Sequence, residues 1–441
     1  MHDLIHKRIT EVGLRIAKHP PSHYNRGQQK MSSILASYRV LDLTDVKGFL
    51  CGKVLGDLGA DVIKVERPGG DPDRNIGPFY HDAPDAEKSL YWFAYNTSKR
   101  GITLNIGTAD GKEIFKQLAK KADFVLESFP LGYLKSLGLD YVALSELNPS
   151  IIVTSITPFG QTGPYKDYKT SDLVASAMGG LVYICGDVDR PPVRISAEQA
   201  YLHAGVHAVG ATLIAHYYRE LTGAGQHVDV SIQEAMVWTT MYAIPYWHTA
   251  QRLFPRSGNL QTRYGSTYRL MFPCKDGYVA VRAYTGLTFG AWQARLVKAM
   301  ESEGMAEDLT SIDWEALSFE GQRQEEIDHW EEVMRQYFMK HTKAELYEKA
   351  RQYEFSLFPS NTPKNIVKYQ QLAERGFWVE IEHPELKEAL RYPGAIFKSE
   401  PAFDQTMFRA PLIGEHNEEI YVQELGFCKS DLVRLKQANV I

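Results

Sequence analysis

Strand-like and helix-like segments alternate along the first half of the chain, and this alternation restricts its possible folds more than any other feature. Residues 38–44 (YRVLDLT) are strand-like, residues 48–59 (GFLCGKVLGDLG) have helical spacing, and residues 61–66 (DVIKVE) are strand-like again. Two strands joined through a helix lie parallel, because such a connection carries the chain back to the starting edge of the sheet. These residues therefore predict a βαβ unit.

The same alternation continues to about residue 231 and predicts a doubly wound parallel sheet. Further strand-like stretches lie at 101–106, 123–128, 150–157 and 226–231, and helical stretches lie at 108–122, from about 172, at 200–221 and from 232. Gly48, Gly52 and Gly56 recur every four residues, which leaves one bare helix face that can approach the sheet closely. The GxGxxG fingerprint is missing, so nicotinamide binding is not indicated.

The pattern changes beyond about residue 257, which predicts a second domain. A hairpin is predicted within 268–284, turning at 275–277 (KDG), and polar helices follow between about 287 and 355. We expect a basic N-terminal arm at 1–36, a large domain at 37–256, a small α+β domain at 257–362 and a C-terminal segment at 363–441 that returns to the large domain.

The composition is that of an ordinary globular protein. Its 441 residues are 44% hydrophobic with a formal net charge of -5, so no nucleic-acid partner is indicated. Four scattered cysteines form no CxxC pair, which predicts no disulfide framework, no metal site and a cytoplasmic location. No apolar run reaches the roughly 18 residues that a membrane span requires.

Several long phrases, taken together, resemble the class III CoA-transferase family, also called the CaiB/BaiF family. The resemblance covers nearly everything from about residue 38 onward. The phrases are VLDLTDVKGFLCGKVLGDLGADVIKVERPGGDPDR, NTSKRGITLNI, GYLKSLGLDYVALSELNPSIIVTSITPFGQTGPY, DLVASAMGGL, TGAGQHVDVSIQEA, LIGEHNEEI and ELGF.

The resemblance implies a Rossmann-like domain joined to a small domain, and two chains interlocked like links of a chain. It also implies a reaction in which an aspartate attacks an acyl-CoA thioester and CoA is finally handed to a carboxylic acid. A desolvated carboxylate is a competent nucleophile for this work. Coenzyme A and acyl-CoA are then substrates, and no covalently bound cofactor is expected.

The resemblance also assigns residues to the CoA site. Arg67 would contact a CoA phosphate, because a guanidinium suits that multidentate acceptor. Lys47 stands where relatives often place an active-site glutamine. The remaining CoA-binding candidates are Leu104, Asn105, Ser128, Phe129, Lys169 and Asp172. Each charged residue alone is more often a solvated surface group, and Asp172 at a helix start could simply cap that helix.

The nucleophile is missing from its expected place. In the family the aspartate lies four residues before a glycine, and counting back from Gly205 reaches Tyr201. A phenol with an ordinary pKa of about 10 cannot carry the acyl group in the same way. In lacking this aspartate the chain resembles, within the family, the aspartate-lacking type of subunit of benzylsuccinate CoA-transferase.

Several interpretations remain open. The chain could be a noncatalytic subunit paired with an aspartate-bearing homologue, together moving CoA from a donor such as succinyl-CoA to an acceptor such as benzylsuccinate. It could be an active homodimer that uses Glu198, three residues before Tyr201, although such a shift moves a helical side chain by several ångströms. Glu198 could instead have only a structural role, as a carboxylate that interacts favourably with the dipole at the start of the helix. A noncatalytic acyl-CoA-binding protein is a further alternative.

An acyl-CoA racemase is disfavoured at two positions. The resemblance would require a histidine where Ser171 stands, and an aspartate where Tyr201 stands. His203 and His207 lie four residues apart, but without a neighbouring acidic motif we interpret them as packing or interface residues. Aromatic residues that could line an aryl pocket, or simply belong to the core, are Tyr91, Trp92, Phe93, Tyr242, Tyr246 and Trp247.

Overall fold

A six-stranded parallel sheet organises the first half of the protein. The computed structural model describes residues 33–281, 287–318, 320–400, 402–403 and 407–441. The strands run in the order β3-β2-β1-β4-β5-β6, which is the doubly wound arrangement expected from the sequence. Their bounds are β1 Arg39–Leu43, β2 Asp61–Glu66, β3 Lys99–Thr103, β4 Phe124–Glu127, β5 Ile152–Thr157 and β6 His227–Ser231.

Both faces of this sheet are covered by apolar packing. Along β1, Val40 points into one hydrophobic cluster and Leu41 into another, and along β4 Phe124 and Val125 divide in the same way. A strand buried on both faces has no solvent-facing side, which explains the consecutive apolar residues Val40-Leu41 in β1 and Phe124–Leu126 in β4.

Helices connect and flank the strands. They are α1 Phe49–Asp57, α2 Leu90–Tyr95, α3 Ala109–Ala119, α4 Tyr133–Leu137, α5 Tyr141–Leu147, α6 Asp172–Met178, α7 Leu181–Ile184, α8 Gln199–Thr222, α9 Ile232–Val237, α10 Ala243–Ala250, α11 Leu287–Glu301, α12 Gln324–Lys340, α13 Lys343–Tyr353, α14 Pro363–Ile366, α15 Gln370–Glu374 and α16 Lys429–Gln437. Single 3₁₀ turns occupy Pro72–Asn75, Tyr80–Asp82, Trp238–Thr240 and Glu307–Ser311, and a π-helical turn occupies Glu418–Glu424.

The bare face of α1 is required by close neighbours. A Cβ atom added to Gly52 would lie 2.1 Å from a carboxylate oxygen of Asp42, and one added to Gly56 would lie 2.5 Å from the carbonyl oxygen of Ser98. The close approach predicted from the glycine spacing is therefore present. It brings α1 against buried polar groups as well as the sheet.

A second hydrophobic core is formed by residues of the later part of the chain. Its buried members all lie between Tyr268 and Leu357 and include the ring pair Trp314 and Trp330, whose centroids are 4.9 Å apart. The hairpin predicted here is present, although 282–284 lie outside the described residues. The strands of this region are β7 Leu260–Arg263, β8 Ser266–Arg269, β9 Met271–Cys274, β10 Gly277–Val281 and β11 Leu357–Pro359.

The C-terminal segment packs back onto the first half of the chain. Its hairpin, β12 Trp378–His383 and β13 Glu388–Pro393, lies against α2. His383 is fully buried there, and its two ring nitrogens lie 2.9 Å from the Glu385 carboxylate and 2.9 Å from the Tyr392 hydroxyl. Both bonds lie within the hairpin, so the buried ring is fully bonded and ties the turn to β13.

The described end of the predicted arm is packed rather than free. Leu35 is buried, and its N–H donates to the carbonyl of Leu58. Residues 1–32 of the predicted arm lie outside the described residues. Among the helices that the structure describes, none has the length and apolar character needed to cross a bilayer.

Strand β3 lies at one edge of the sheet, and the C-terminal segment covers that edge. We call these contacts the cap on β3. The N–H of Gly101 donates to Nδ1 of His416 at 3.0 Å, and the N–H of Thr103 donates to the side-chain oxygen of Asn417 at 2.9 Å. Tyr421 donates its hydroxyl to the Thr103 carbonyl at 2.6 Å. An edge strand with unpaired backbone groups invites pairing with other chains, so these contacts protect the sheet.

Acid is expected to loosen this cap. Burial lowers the pKa of His416, with Glu415 opposing the shift, and its Nδ1 can accept the Gly101 N–H only while that nitrogen is unprotonated. A folded-state pKa below the unfolded value means that stability is lost as the pH falls from the unfolded value of about 6.5. Between about pH 7.5 and about pH 5.5, the melting temperature of the wild type should fall more than that of His416→Asn, whose amide oxygen accepts the same bond without titrating. Equal falls in both proteins would contradict this assignment.

Candidate functional site

A cleft of about 310 Å³ opens at the carboxyl ends of strands β1 to β4. The strand order reverses between β1 and β4, and ligands of open parallel sheets bind in the crevice at such a point. Apolar and polar side chains share the lining, as in many small-molecule sites. The lining residues are Leu43, Thr44, Asp45, Val65, Glu66, Arg67, Asp71, Pro72, Asp73, Leu104, Asn105, Ile106, Phe129 and Tyr133.

Four of the residues proposed from the sequence line this cleft together. Leu104 and Asn105 follow β3, Phe129 follows β4, and Arg67 directly follows β2. Arg67 is exposed, and its Nε lies 3.3 Å from the carbonyl oxygen of Gly70. The structure therefore brings a guanidinium and an apolar wall to the same opening.

Two further candidates meet at Asp45, which also lines the cleft. The hydroxyl of Ser128 accepts the N–H of Asp45 and donates to its carboxylate, both at 2.8 Å. Lys47 forms an ion pair with the same carboxylate. Lys47 thus belongs to the turn after β1, and Ser128, which follows β4, bonds to that turn.

Buried charged groups bond to that turn and fix its position. The ammonium of Lys99 donates to Asp42 at 2.8 Å, the hydroxyl of Thr44 donates to Asp42 at 2.6 Å, and the ammonium of Lys64 donates to the carbonyl of Thr44. Burial alone would raise the pKa of Asp42, but the two ammonium groups hold it below its ordinary value. The turn is therefore anchored to a fully buried carboxylate.

Tyr201 lies in the first turn of α8, and a carboxylate lies beside it. Asp172 accepts the N–H of Ala200 at 2.8 Å and that of Tyr201 at 3.4 Å. The expectation that Asp172 caps its own helix is wrong, because Ser171 caps α6 and Asp172 binds the first free N–H groups of α8. A carboxylate is well placed there, since helix starts favour negative charge.

The phenol of Tyr201 is held in its neutral form. Burial and the neighbouring charge of Asp172 raise its pKa to about 12, and Asp45 and Asp73 add to the shift. Burial also raises the pKa of Asp172. Little phenolate can exist at neutral pH, so Tyr201 offers no anionic nucleophile.

Glu198 lies at the N-cap of α8 but does not cap it. Its side chain forms no hydrogen bond with the helix start. Its charge acts instead on Tyr91 and Tyr95, whose pKa values are raised by burial and then by Glu198. The charge of Glu198 is therefore felt at α2, where the rings of Tyr91 and Tyr95 lie 4.7 Å apart, and also at Asp172.

Two carboxylates at or near the cleft, the buried Glu127 and the half-buried Asp73, were not proposed from the sequence. Burial raises the pKa of Glu127, which accepts the N–H of Phe129 at 2.7 Å. Burial also raises the pKa of Asp73, which accepts the N–H of Val46 at 2.8 Å. Glu127 is the last residue of β4, so a search for acidic groups at strand ends would have found it. Asp73 lies in the 3₁₀ turn Pro72–Asn75, away from any strand end, and such a search would have missed it.

The remaining candidates lie elsewhere. Lys169 is an exposed loop residue and does not line the cleft. Trp92 and Phe93 are buried core residues, whereas Tyr242, Tyr246 and Trp247 are exposed on or beside α10. His207 lies edge-on to Trp238 at 6.0 Å, in keeping with a packing role. Within the part of the chain that the structure describes, no cluster of three or more metal-binding side chains occurs.

The fold is that of a Rossmann-like α/β protein, with a candidate ligand cleft at the carboxyl edge of the sheet. The sequence model of CoA-transferase family III matches residues 35–417. The BbsE subunit of succinyl-CoA:(R)-benzylsuccinate CoA-transferase from Thauera aromatica is 35% identical, over 93% of this chain and 99% of that protein. A formyl-CoA:oxalate CoA-transferase from Streptomyces avermitilis is 32% identical, over 93% of this chain and 100% of that protein.

A solved structure agrees with these sequences. The crystal structure of a CaiB/BaiF family protein from Brucella suis superimposes with a TM-score of 0.78 and 27% identity, over 89% of this chain and 100% of that one. The chain belongs to the class III CoA-transferase, or CaiB/BaiF, family.

Proposed function

We propose that this chain is the noncatalytic subunit of a heteromeric class III CoA-transferase. The complex would move CoA from an acyl-CoA such as succinyl-CoA to a carboxylic acid such as benzylsuccinate. The observation that carries the proposal is the neutral phenol of Tyr201 in the place implied for the nucleophilic aspartate. The similarity to BbsE, which is named as a subunit of such an enzyme, supports both the subunit role and this choice of substrates.

CoA would bind in the cleft at the carboxyl ends of β1 to β4. In this proposal its adenosine lies against Leu104, Asn105 and Phe129, and Arg67 binds a phosphate. Lys169 does not line the cleft, so a contact between Lys169 and CoA would require its exposed loop to approach the bound ligand. The thioester end would point toward the Asp45 turn and the start of α8, where Asp172 and Tyr201 lie.

An interlocked homologous chain would cover a large exposed apolar surface. On α8, Ile214, Tyr217 and Leu221 are 72%, 67% and 69% exposed and fall on one helix face. Trp238 and Met241, which follow α9, are also more than half exposed. Exposed apolar side chains grouped on one helix face are typical of interaction surfaces. In the proposed assembly, residues 257–362 form the small domain and residues 363–441 return to the large one.

The proposal is tested by comparing the isolated chain with a complex. We expect the purified chain to bind CoA but to transfer none from succinyl-CoA to benzylsuccinate, and to gain transfer when an aspartate-bearing homologous chain is added. Co-purification with such a chain of similar size would support the subunit role. Steady transfer by the isolated chain would overturn it.

Hydroxylamine distinguishes the homodimer alternative, because it traps an acylated enzyme carboxylate as a hydroxamate. A hydroxamate on Glu198 of the isolated chain, lost in Glu198→Gln, would establish Glu198 as the nucleophile. An isolated chain that binds CoA, yields no hydroxamate and gains no activity from any homologue would instead be an acyl-CoA-binding protein.

A further inference from the structure

One wall of the cleft is supported by residues from the far end of the sequence. Asn105 lines the cleft just after β3, and its N–H donates to the carbonyl of Val440 at 2.7 Å. This bond continues the capped edge of β3, since Gly101, Thr103 and Asn105 are alternate residues whose N–H groups point outward. The cap on the sheet edge therefore extends into the cleft.

The residues after α16 pack tightly against this wall. Val440 and Ile441 are buried in the same apolar cluster as Leu104 and Ile106, two further lining residues. The N–H of Val440 donates to the carbonyl of Leu435 at 2.9 Å, which ties the segment to α16. Because Val440 is buried and is bonded to both Asn105 and Leu435, the segment is held in a single position against the wall.

The turn at Asn439 makes this arrangement sensitive to substitution. Asn439 has a φ of 54°, a left-handed conformation that asparagine and glycine tolerate and β-branched residues avoid. Its carbonyl lies 3.4 Å from the side-chain nitrogen of Asn105. The side chain and the backbone N–H of Asn105 thus both donate to carbonyl groups of this turn, which sets their orientation.

We infer that Asn439, Val440 and Ile441 are positioning residues for the nucleotide half of CoA. They hold Leu104 and Asn105 in the geometry that accepts the adenosine, and this inference rests on the proposed binding of CoA in the cleft. The chemical class of ligand is an adenosine 3′,5′-bisphosphate group, whether free or as part of CoA.

Calorimetric binding to the full chain and to a variant lacking Asn439–Ile441 tests the inference. Deletion should raise the dissociation constants of CoA and of adenosine 3′,5′-bisphosphate by the same factor, about tenfold or about 1.4 kcal/mol. Val433→Ala, at a 58% exposed position on α16, is the matched control and should change neither constant. A lower melting temperature with unchanged affinities would show a purely structural role and overturn the inference.

A second pair of variants decides the question if the deletion does not fold. Asn439→Val strains the turn and should weaken both ligands, whereas Asn439→Gly keeps the left-handed conformation and should bind like the wild type. Equal affinities in these two variants would refute the inference. If the wild-type chain itself binds neither ligand, the proposed CoA site fails, which is a different result.

Discussion

Replacing Tyr201 by aspartate is expected to give the isolated chain a carboxylate that succinyl-CoA can acylate. The new side chain would lie in the first turn of α8, where the first N–H groups of a helix favour negative charge. Acylation would be followed as hydroxamate after addition of hydroxylamine. We expect its yield to rise on the order of 100-fold over the wild type, short of the roughly 10⁶-fold that an evolved nucleophile contributes, because the neighbouring groups are not arranged to support it.

The same neighbours set the pH dependence of this variant. Burial raises the pKa of the phenol at this position, and the charges of Asp172, Asp45 and Asp73 add to the shift; the same causes would hold the pKa of a carboxyl there above the ordinary aspartate value. The hydroxamate yield should therefore increase with pH as the new carboxyl ionises.

Two variants control for other sources of hydroxamate. In Tyr201→Asn the new side chain has nearly the same size as aspartate but carries no carboxylate, so the hydroxamate yield should remain at the wild-type level. Combining Tyr201→Asp with Glu198→Gln should leave the gain intact, since Glu198 forms no capping bond at the start of α8 that would support the new carboxylate. A gain that disappears with Glu198 would assign the chemistry to that residue.

Replacing Arg74 by methionine is expected to destabilise the fold by about 3–5 kcal/mol, because it leaves a buried carboxylate without its cation. The buried guanidinium of Arg74 bonds both oxygens of Glu66 at 2.7 and 2.8 Å and the carbonyl of Pro411 at 2.9 Å. It also lies 3.8 Å from the ring centroid of Trp92. Such a loss is a large fraction of the roughly 5–15 kcal/mol that stabilises a typical protein, and urea unfolding would measure it.

Matched variants separate the buried charge from the lost packing. Removing both buried partners in Arg74→Met/Glu66→Leu should recover part of the stability, because no fully buried charge then remains unpaired. The recovery should be incomplete, since the partly exposed Glu87 also loses its bond to Arg74 and the N–H of Asp71 loses its acceptor. The exposed pair Arg335 and Glu332 is the control, and Arg335→Met should leave the urea midpoint unchanged. If Arg74→Met had no larger effect than Arg335→Met, Arg74 would not be a structural cation.

The parallel sheet could be predicted because its strands are apolar on both faces and separated by helices. The boundary of β3 could not, because the expected stretch 101–106 includes Leu104 and Asn105, which leave the sheet to line the cleft. The true strand begins at Lys99, a charged residue that is buried only because Asp42, 57 residues earlier, neutralises it. Short α2, rich in aromatic residues, also gives no helical signal of its own.

The site was predictable only where residues follow strands directly. Arg67, Leu104, Asn105 and Phe129 meet in one cleft because parallel strands end at the same edge. The partner of Asp172 was not predictable. Asp172 accepts N–H groups at the start of α8, which begins 27 residues later in the sequence. A carboxylate at a helix start most often caps its own helix, so the sequence favoured that role. The contact between Asn105 and Val440 is likewise invisible without tertiary structure.

The cap on β3 also sets an order of events during synthesis. His416 and Asn417 are translated 315 and 314 residues after the backbone groups that they bind, a delay on the order of tens of seconds on the ribosome. Until they emerge, the nascent chain carries an open strand that neighbouring nascent chains can join. Messages that terminate before codon 416 should therefore yield chaperone-bound or aggregated polypeptide rather than a smaller soluble protein.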